Sequence, residues 1–150
     1  ERAEWGIREF LVGHGLGDGN TGQNRAIVDK RRQKANQCGV MNVIGDVDGK
    51  DCILCDDMVD TGGSLCNAAK AIVEVGGAKN VYACASHGVL SGPAIDRVNE
   101  SVITELAFLD TIAPIDPSLS GKIKYLTVAP MFAEAIERIY QEISVSKLWL

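Results

Sequence analysis

Short apolar runs alternate with glycine-punctuated helical stripes along most of this chain, and that alternation leaves few folds open to it. AIVD (26–29) is a brief apolar strand that stops at a basic run. VMNVIGDV (40–47) and DCILCDD (51–57) read as strands joined through Asp48-Gly49, a hairpin-type turn signal. In SLCNAAKAIVEV (64–75), Leu65, Ala68, Ile72 and Val75 recur at helical spacing, and Gly76-Gly77 supplies a C-terminal stop. VYACA (81–85) is a further buried strand, followed by the loop SHGVLSG and a short helix in PAIDRVNES. VITELAFL (102–109) and IKYLTVA (123–129) complete the strands. Phe132, Ala135 or Ile136, Ile139 and Ile143 mark a last amphipathic helix, with Glu134 and Arg138 as an exposed i,i+4 pair. Continuous apolar strands alternating with helices predict an α/β, doubly wound fold. Its mostly parallel sheet is flanked by helices on both faces, Rossmann-like in outline.

The chain has 150 residues, 46% of them hydrophobic, and a formal net charge of −5. That is enough apolar material for one ordinary core and too much for disorder, so one folded domain is expected. The acidic balance argues against a nucleic-acid partner, which needs a broad positive field. No apolar stretch approaches the roughly 20 residues of a membrane span, and no secretory leader is read at the start. Five cysteines, an odd number scattered through apolar segments, fit a reducing, cytoplasmic setting. Cys52 and Cys55 have C-x-x-C spacing, but in a strand such positions face opposite sides and cannot chelate one ion. They read as packing residues, and no metal ligand set is identified.

Residues 1–25 differ from the rest. GHGLGDGNTG (13–22) holds five glycines, which costs too much chain entropy for a helix or strand interior, so the segment reads as flexible. His14 lies inside it without a carboxylate or cysteine partner and is given no catalytic role.

CILCDDMVDTGGSL (52–65) carries the chemistry. An apolar strand ends at two carboxylates, Asp56 and Asp57, and a tight loop of Asp60, Thr61, Gly62, Gly63 and Ser64 opens the helix that follows. The glycines let backbone N–H groups approach an anion, the hydroxyls add donors, and the helix N-terminus adds roughly half a positive charge. Carboxylates suit the vicinal hydroxyls of a sugar or a bridging magnesium ion. Phosphate at one end and diol at the other describe ribose 5-phosphate, at the carboxyl end of a sheet strand where open α/β sheets bind ligands. A plainer reading makes Ser64 a helix cap and Asp60 a charge favourable to the helix dipole.

The segments AIVDKRRQKAN, VMNVIGDVDGKDCILCDDMVDTGGSL, GGAKNVYACASHGVLSGPAIDRV, LDTI and ISVSKLW together resemble the C-terminal half of the bacterial class I ribose-phosphate pyrophosphokinases. Those enzymes have a type I phosphoribosyltransferase-like fold. The resemblance implies transfer of the β,γ-diphosphoryl group of ATP to the 1-hydroxyl of ribose 5-phosphate, with Mg2+, giving phosphoribosyl pyrophosphate. By position, Asp60, Thr61, Gly62, Gly63 and Ser64 would hold the sugar 5-phosphate, and Asp56 with Asp57 the ribose hydroxyls. Lys30 and Arg32 match the cationic pair of the family's catalytic loop. Such cations neutralise charge on the transferring phosphoryl oxygens, although four cations (Lys30, Arg31, Arg32, Lys34) could also form a solvated run. Ser144, Val145 and Ser146 resemble the Ser-Val-Ser of the family's allosteric phosphate or ADP site between hexamer subunits; a cap at a helix end explains the tripeptide equally well. His87, in SHGVLSG, reads as a structural loop residue.

The resemblance covers about Ala26 to the end. It implies a phosphoribosyltransferase-like C-terminal domain over residues 26–150, preceded by a divergent or flexible segment over 1–25 in place of the family's Ser-Pro-Asp element. The family's ATP-binding half has no counterpart in this sequence, so the chain is expected to be inactive alone. Its expected partners are ribose 5-phosphate and ATP, further copies of itself or a full-length pyrophosphokinase. Two other readings stand beside this one: a non-catalytic pyrophosphokinase-associated regulatory subunit, and a nucleobase phosphoribosyltransferase using the same loop.

Overall fold

The computed structural model describes residues 11–14, 26–30 and 41–149. The strands are β1 (Leu11–His14), β2 (Ala26–Lys30), β3 (Met41–Ile44), β4 (Asp51–Val59), β5 (Asn80–Gly88), β6 (Ile103–Leu109) and β7 (Ile123–Leu126). They form one sheet in the order β3-β2-β1-β4-β5-β6-β7. β4 through β7 are parallel neighbours, while β1, β2 and β3 pair antiparallel. Helices α1 (Gly63–Glu74), α2 (Ala94–Glu100) and α3 (Ala129–Tyr140) follow β4, β5 and β7. The α/β fold expected from the alternation is present, with its parallel half built of four strands.

Three local expectations change. Asp48 and Gly49 do form a turn, but β3 and β4 are not a hairpin, because β2 and β1 stand between them. A turn signal fixes the local chain reversal only; partner choice is decided by which edges find ladder hydrogen bonds. Within the glycine-rich segment read as flexible, Gly13 and His14 belong to β1, opposite Ile53 and Cys52. Pairing to β4 offsets the entropy a strand glycine loses. Finally, β4 does not stop at the acidic pair but runs on to Val59, and β5 continues through His87 to Gly88.

Strand periodicity and helical stripes meet in one core. Cys52 and Leu54 of β4, Val81, Ala83 and Ala85 of β5, and Leu106 and Phe108 of β6 pack with Leu65, Ala68, Ala69 and Ile72 of α1 and Ala94 and Val98 of α2. Cys52 is buried and Cys55 exposed, as opposite faces of a strand require. The second sheet face is not covered by a described helix: Ile53 is 38% and Tyr82 37% exposed. Covering on both faces, expected from the unbroken apolar runs, is therefore absent among the described residues. α1 ends where anticipated. A Cβ on Gly76 would lie 2.5 Å from Val47 Cγ2 and 2.6 Å from the Ile72 carbonyl oxygen, so only glycine lets the helix end pack onto the turn before β4. α3 has the expected amphipathic stripe and the Glu134–Arg138 pair at 2.7 Å, yet Phe132, Ile136 and Ile139 are exposed, and Ile143 lies beyond its end. No helix among the described residues is long and apolar enough to cross a membrane.

The start of α3 is tied to the end of β6. The Val128 amide donates to Asp110 Oδ1 at 2.8 Å. That bond, joined by the Thr127 hydroxyl, holds the Asp110 carboxyl below its ordinary pKa of 3.8. A carboxyl with a depressed folded-state pKa stabilises the fold above its unfolded value, and that contribution is lost as pH falls through the folded one. Asp110→Asn is therefore expected to flatten the acid limb of stability. Between about pH 5 and pH 2, its urea midpoint should fall less than that of the unsubstituted chain; equal falls would contradict the assignment.

Candidate functional site

The loop between β4 and α1 is shaped by one backbone conformation. Gly62 has φ +74°, the left-handed region that residues with a Cβ avoid, and it turns the chain into the first turn of α1. The first hydrogen bond of that helix runs from the Cys66 amide to the Gly62 carbonyl at 3.0 Å. No side chain caps the amides ahead of it. Ser64 lies within α1 and is not its cap, so the capping explanation of that residue fails.

An open cavity of about 160 Å³ lies against this turn. It is lined by Asp60, Thr61, Gly62, Gly63 and Ser64, together with Asp56, Met58, Val59 and Leu65. The sequence-predicted phosphate loop and Asp56 are thus brought together. Asp57 is not: it is exposed and does not line the cavity, because the strand continues through it and successive side chains alternate. The Asp57 amide donates to Asp56 Oδ1 at 2.9 Å.

Two residues that position the loop were not legible beforehand. The Ser91 amide donates to the Asp60 carbonyl at 3.0 Å, and the Ser91 hydroxyl donates to the Asp60 carboxylate. Arg97 of α2 donates from Nη1 to the Thr61 carbonyl at 2.9 Å. The Val89 and Leu90 amides both reach the Val59 carbonyl, at 3.0 and 3.1 Å. The segment after β5 therefore clamps the loop after β4 by occupying the carbonyls of Val59, Asp60 and Thr61. Arg97→Met keeps the stem but removes this donor. It is expected to weaken phosphate-ester binding by about fivefold to tenfold, the effect of about 1 kcal/mol from one hydrogen bond. Calorimetric titration checks it; unchanged affinity would show that the clamp is not needed.

His87 is held by Thr111, with Nδ1 2.8 Å from Oγ1, and Thr111 in turn donates to the Ser86 carbonyl at 2.7 Å. His87 lies in β5, and not in the loop expected from the sequence. Among the described residues, no group of three or more His, Cys, Asp or Glu side chains could hold a metal ion.

Lys30 ends β2, which runs in the same direction as β4 two places away. Leu11 is opposite both Ile27 and Cys55, so Lys30 leaves the sheet at the end where Met58 and the loop lie. Arg32, like Arg31 and Lys34, lies outside the described residues. Ser144, Val145 and Ser146 are exposed at the far end of the chain, where the Ser146 amide donates to Ser144 Oγ at 3.2 Å. Arg138 Nη1 reaches the Ser144 carbonyl at 3.4 Å.

Comparison with known proteins places the chain in a family. The phosphoribosyl synthetase-associated domain family matches residues 20–150. The chain belongs to that family. Curated relatives include the ribose-phosphate pyrophosphokinase of Clostridium tetani, 60% identical over 124 residues, which covers 83% of this chain and 38% of the relative. That of Clostridium perfringens is 56% identical over 124 residues, covering 83% and 39%. The crystal structure of phosphoribosylpyrophosphate synthetase from Mycobacterium smegmatis superposes with a TM-score of 0.68 at 35% identity, covering 78% of this chain and 37% of that one. The resemblance read from the segments above is thus to the right family. This phosphoribosyl synthetase-associated chain spans about two fifths of the length of these relatives.

Proposed function

We propose that this chain supplies the sugar-phosphate site of a ribose-phosphate pyrophosphokinase, the enzyme that transfers diphosphate from ATP to ribose 5-phosphate. The observation that carries the reading is the uncapped turn at Gly62–Leu65 opening on a cavity that Asp56 also lines. In it, the backbone amides and the Thr61 and Ser64 hydroxyls bind the 5-phosphate, and the dipole of α1 favours its charge. Asp56 accepts from the ribose hydroxyls and so fixes the sugar with its 1-hydroxyl outward. Ser91 and Arg97 act through the loop, as positioning residues. Lys30 and Arg32 would meet the ATP phosphates from the β2 side and neutralise charge that develops during transfer.

Mg2+ fits only in part. Asp56 is one carboxylate at the cavity, and magnesium is commonly held by one or two carboxylates plus substrate phosphates. Asp60 also lines the cavity, but its carboxylate already accepts from the Ser91 hydroxyl, so Asp56 is the carboxylate that would hold the ion, and the ion's contribution would be charge neutralisation on the diphosphate. The Ser144–Ser146 turn is assigned to a regulatory anion contact between copies, and the domain to residues 26–150. A cytoplasmic setting and assembly with further copies or with a full-length pyrophosphokinase complete the reading.

A cavity of about 160 Å³ has room for a phosphate and part of a pentose but is small beside the roughly 300–1,000 Å³ usual for larger ligands. The chain alone is therefore expected to bind ribose 5-phosphate and to form no phosphoribosyl pyrophosphate from it and ATP. Calorimetric titration with ribose 5-phosphate, beside a product assay with ATP and magnesium, tests both statements. Absence of binding would remove the sugar-phosphate assignment, and robust turnover would refute the dependence on further chain.

A further inference from the structure

Cys55 of β4 and Cys84 of β5 are direct partners in the parallel register, and their sulfur atoms lie 3.4 Å apart. Neighbouring strands are about 4.8 Å apart, inside the roughly 4.4–6.8 Å between Cα atoms that a disulfide spans. Both side chains are on the sheet face that no described helix covers, Cys55 exposed and Cys84 half-buried, beside the partly exposed Ile53 and Tyr82. The other described cysteines are placed differently. Cys52 is buried on the opposite face, and Cys66 on α1 donates to the Arg97 carbonyl at 3.6 Å.

We propose that Cys55 and Cys84 form a dithiol site that a low-molecular-weight disulfide closes into a cross-strand disulfide between β4 and β5. Burial, reinforced by the neighbouring Cys55, pushes the Cys84 thiol up to about 11, which leaves the exposed Cys55 as the first to react. The Cys55 thiolate attacks one sulfur of the small disulfide; that S–S bond breaks and one small thiolate leaves. Cys84 then gives its proton to water and its sulfur attacks Cys55 Sγ, expelling the second small thiolate. Two protein thiols are oxidised by two electrons, and the small disulfide is reduced to two thiols. The new bond would join the two strands one residue before Asp56, enclosing the anion loop and α1 in a covalent ring.

The test is incubation of the full chain with oxidised glutathione, alkylation of remaining thiols and peptide mapping without reduction. The expected product is one cross-link between the Cys55 and Cys84 peptides, with two hydrogens lost, no glutathione retained and full reversal by dithiothreitol. Cys84→Ser should trap glutathione on Cys55, and Cys55→Ser should give no cross-link. Glutathione persisting on Cys55 in the unsubstituted chain, a link from Cys55 to Cys38, Cys52 or Cys66, or no reaction at either thiol would overturn the proposal. Because the decisive readout is on the unsubstituted chain, it does not depend on how the variants fold.

Discussion

Gly62→Val is expected to weaken ribose 5-phosphate binding by about tenfold or more while leaving the sheet and helices intact. The cause is backbone conformation and not crowding. A Cβ at this position would lie 3.5 Å from the Ala94 carbonyl oxygen, an ordinary contact, whereas φ +74° is a genuine outlier for a β-branched residue. Left-handed backbone costs a residue with a Cβ about 1–2 kcal/mol, and about 1.4 kcal/mol is a factor of ten in affinity. The loop would relax toward a negative φ, and the amides at the start of α1 would no longer converge on one point. Gly62→Ala, free of the β-branch, should lose less. Titration calorimetry reads the affinities, and far-ultraviolet circular dichroism confirms the fold. Full binding by Gly62→Val would show that the phosphate does not depend on this turn.

Asp56→Asn is the second large effect. It keeps the size of the side chain and removes the negative charge that would accept the sugar hydroxyls. Hydrogen bonds to charged groups contribute about 1.5–3 kcal/mol, so affinity for ribose 5-phosphate should drop by about ten to one hundredfold. Affinity for inorganic phosphate, which has no diol, should change little. Asp57→Asn is the matched control, because Asp57 does not line the cavity, and its effect should stay within about twofold. Equal losses in the two variants would mean that the acidic pair acts through its overall field, without a directed contact from Asp56.

How much of this was legible in the sequence depends on range. The turn that opens α1 was readable because all its causes are local: two glycines, two hydroxyls and a helical stripe within a few residues. The clamp was not, since Ser91 and Arg97 stand 31 and 36 residues from their partners in the loop. Both belong to the SHGVLSGPAIDRV segment that carried the family resemblance, and their roles became visible only when β5 was laid beside β4. The same limit explains the misread hairpin. Asp48-Gly49 announces a reversal, but nothing nearby reports that β1 claims the edge of β4. It also explains the acidic pair, where two adjacent carboxylates look alike in sequence and strand alternation sends only one to the cavity. The stripe on α3 was clear from its spacing, whereas its exposure in the structure was not, because a stripe records apolar periodicity and not the surface that meets it.

The most direct measurement is amide mapping by nuclear magnetic resonance as ribose 5-phosphate is added to the isotopically labelled chain. The Gly63, Ser64 and Leu65 amide protons are expected to shift downfield together and saturably, with Asp56 perturbed and the α3 amides still. Saturable binding that leaves those three amides unmoved, or shifts confined to another face of the sheet, would contradict the sugar-phosphate assignment.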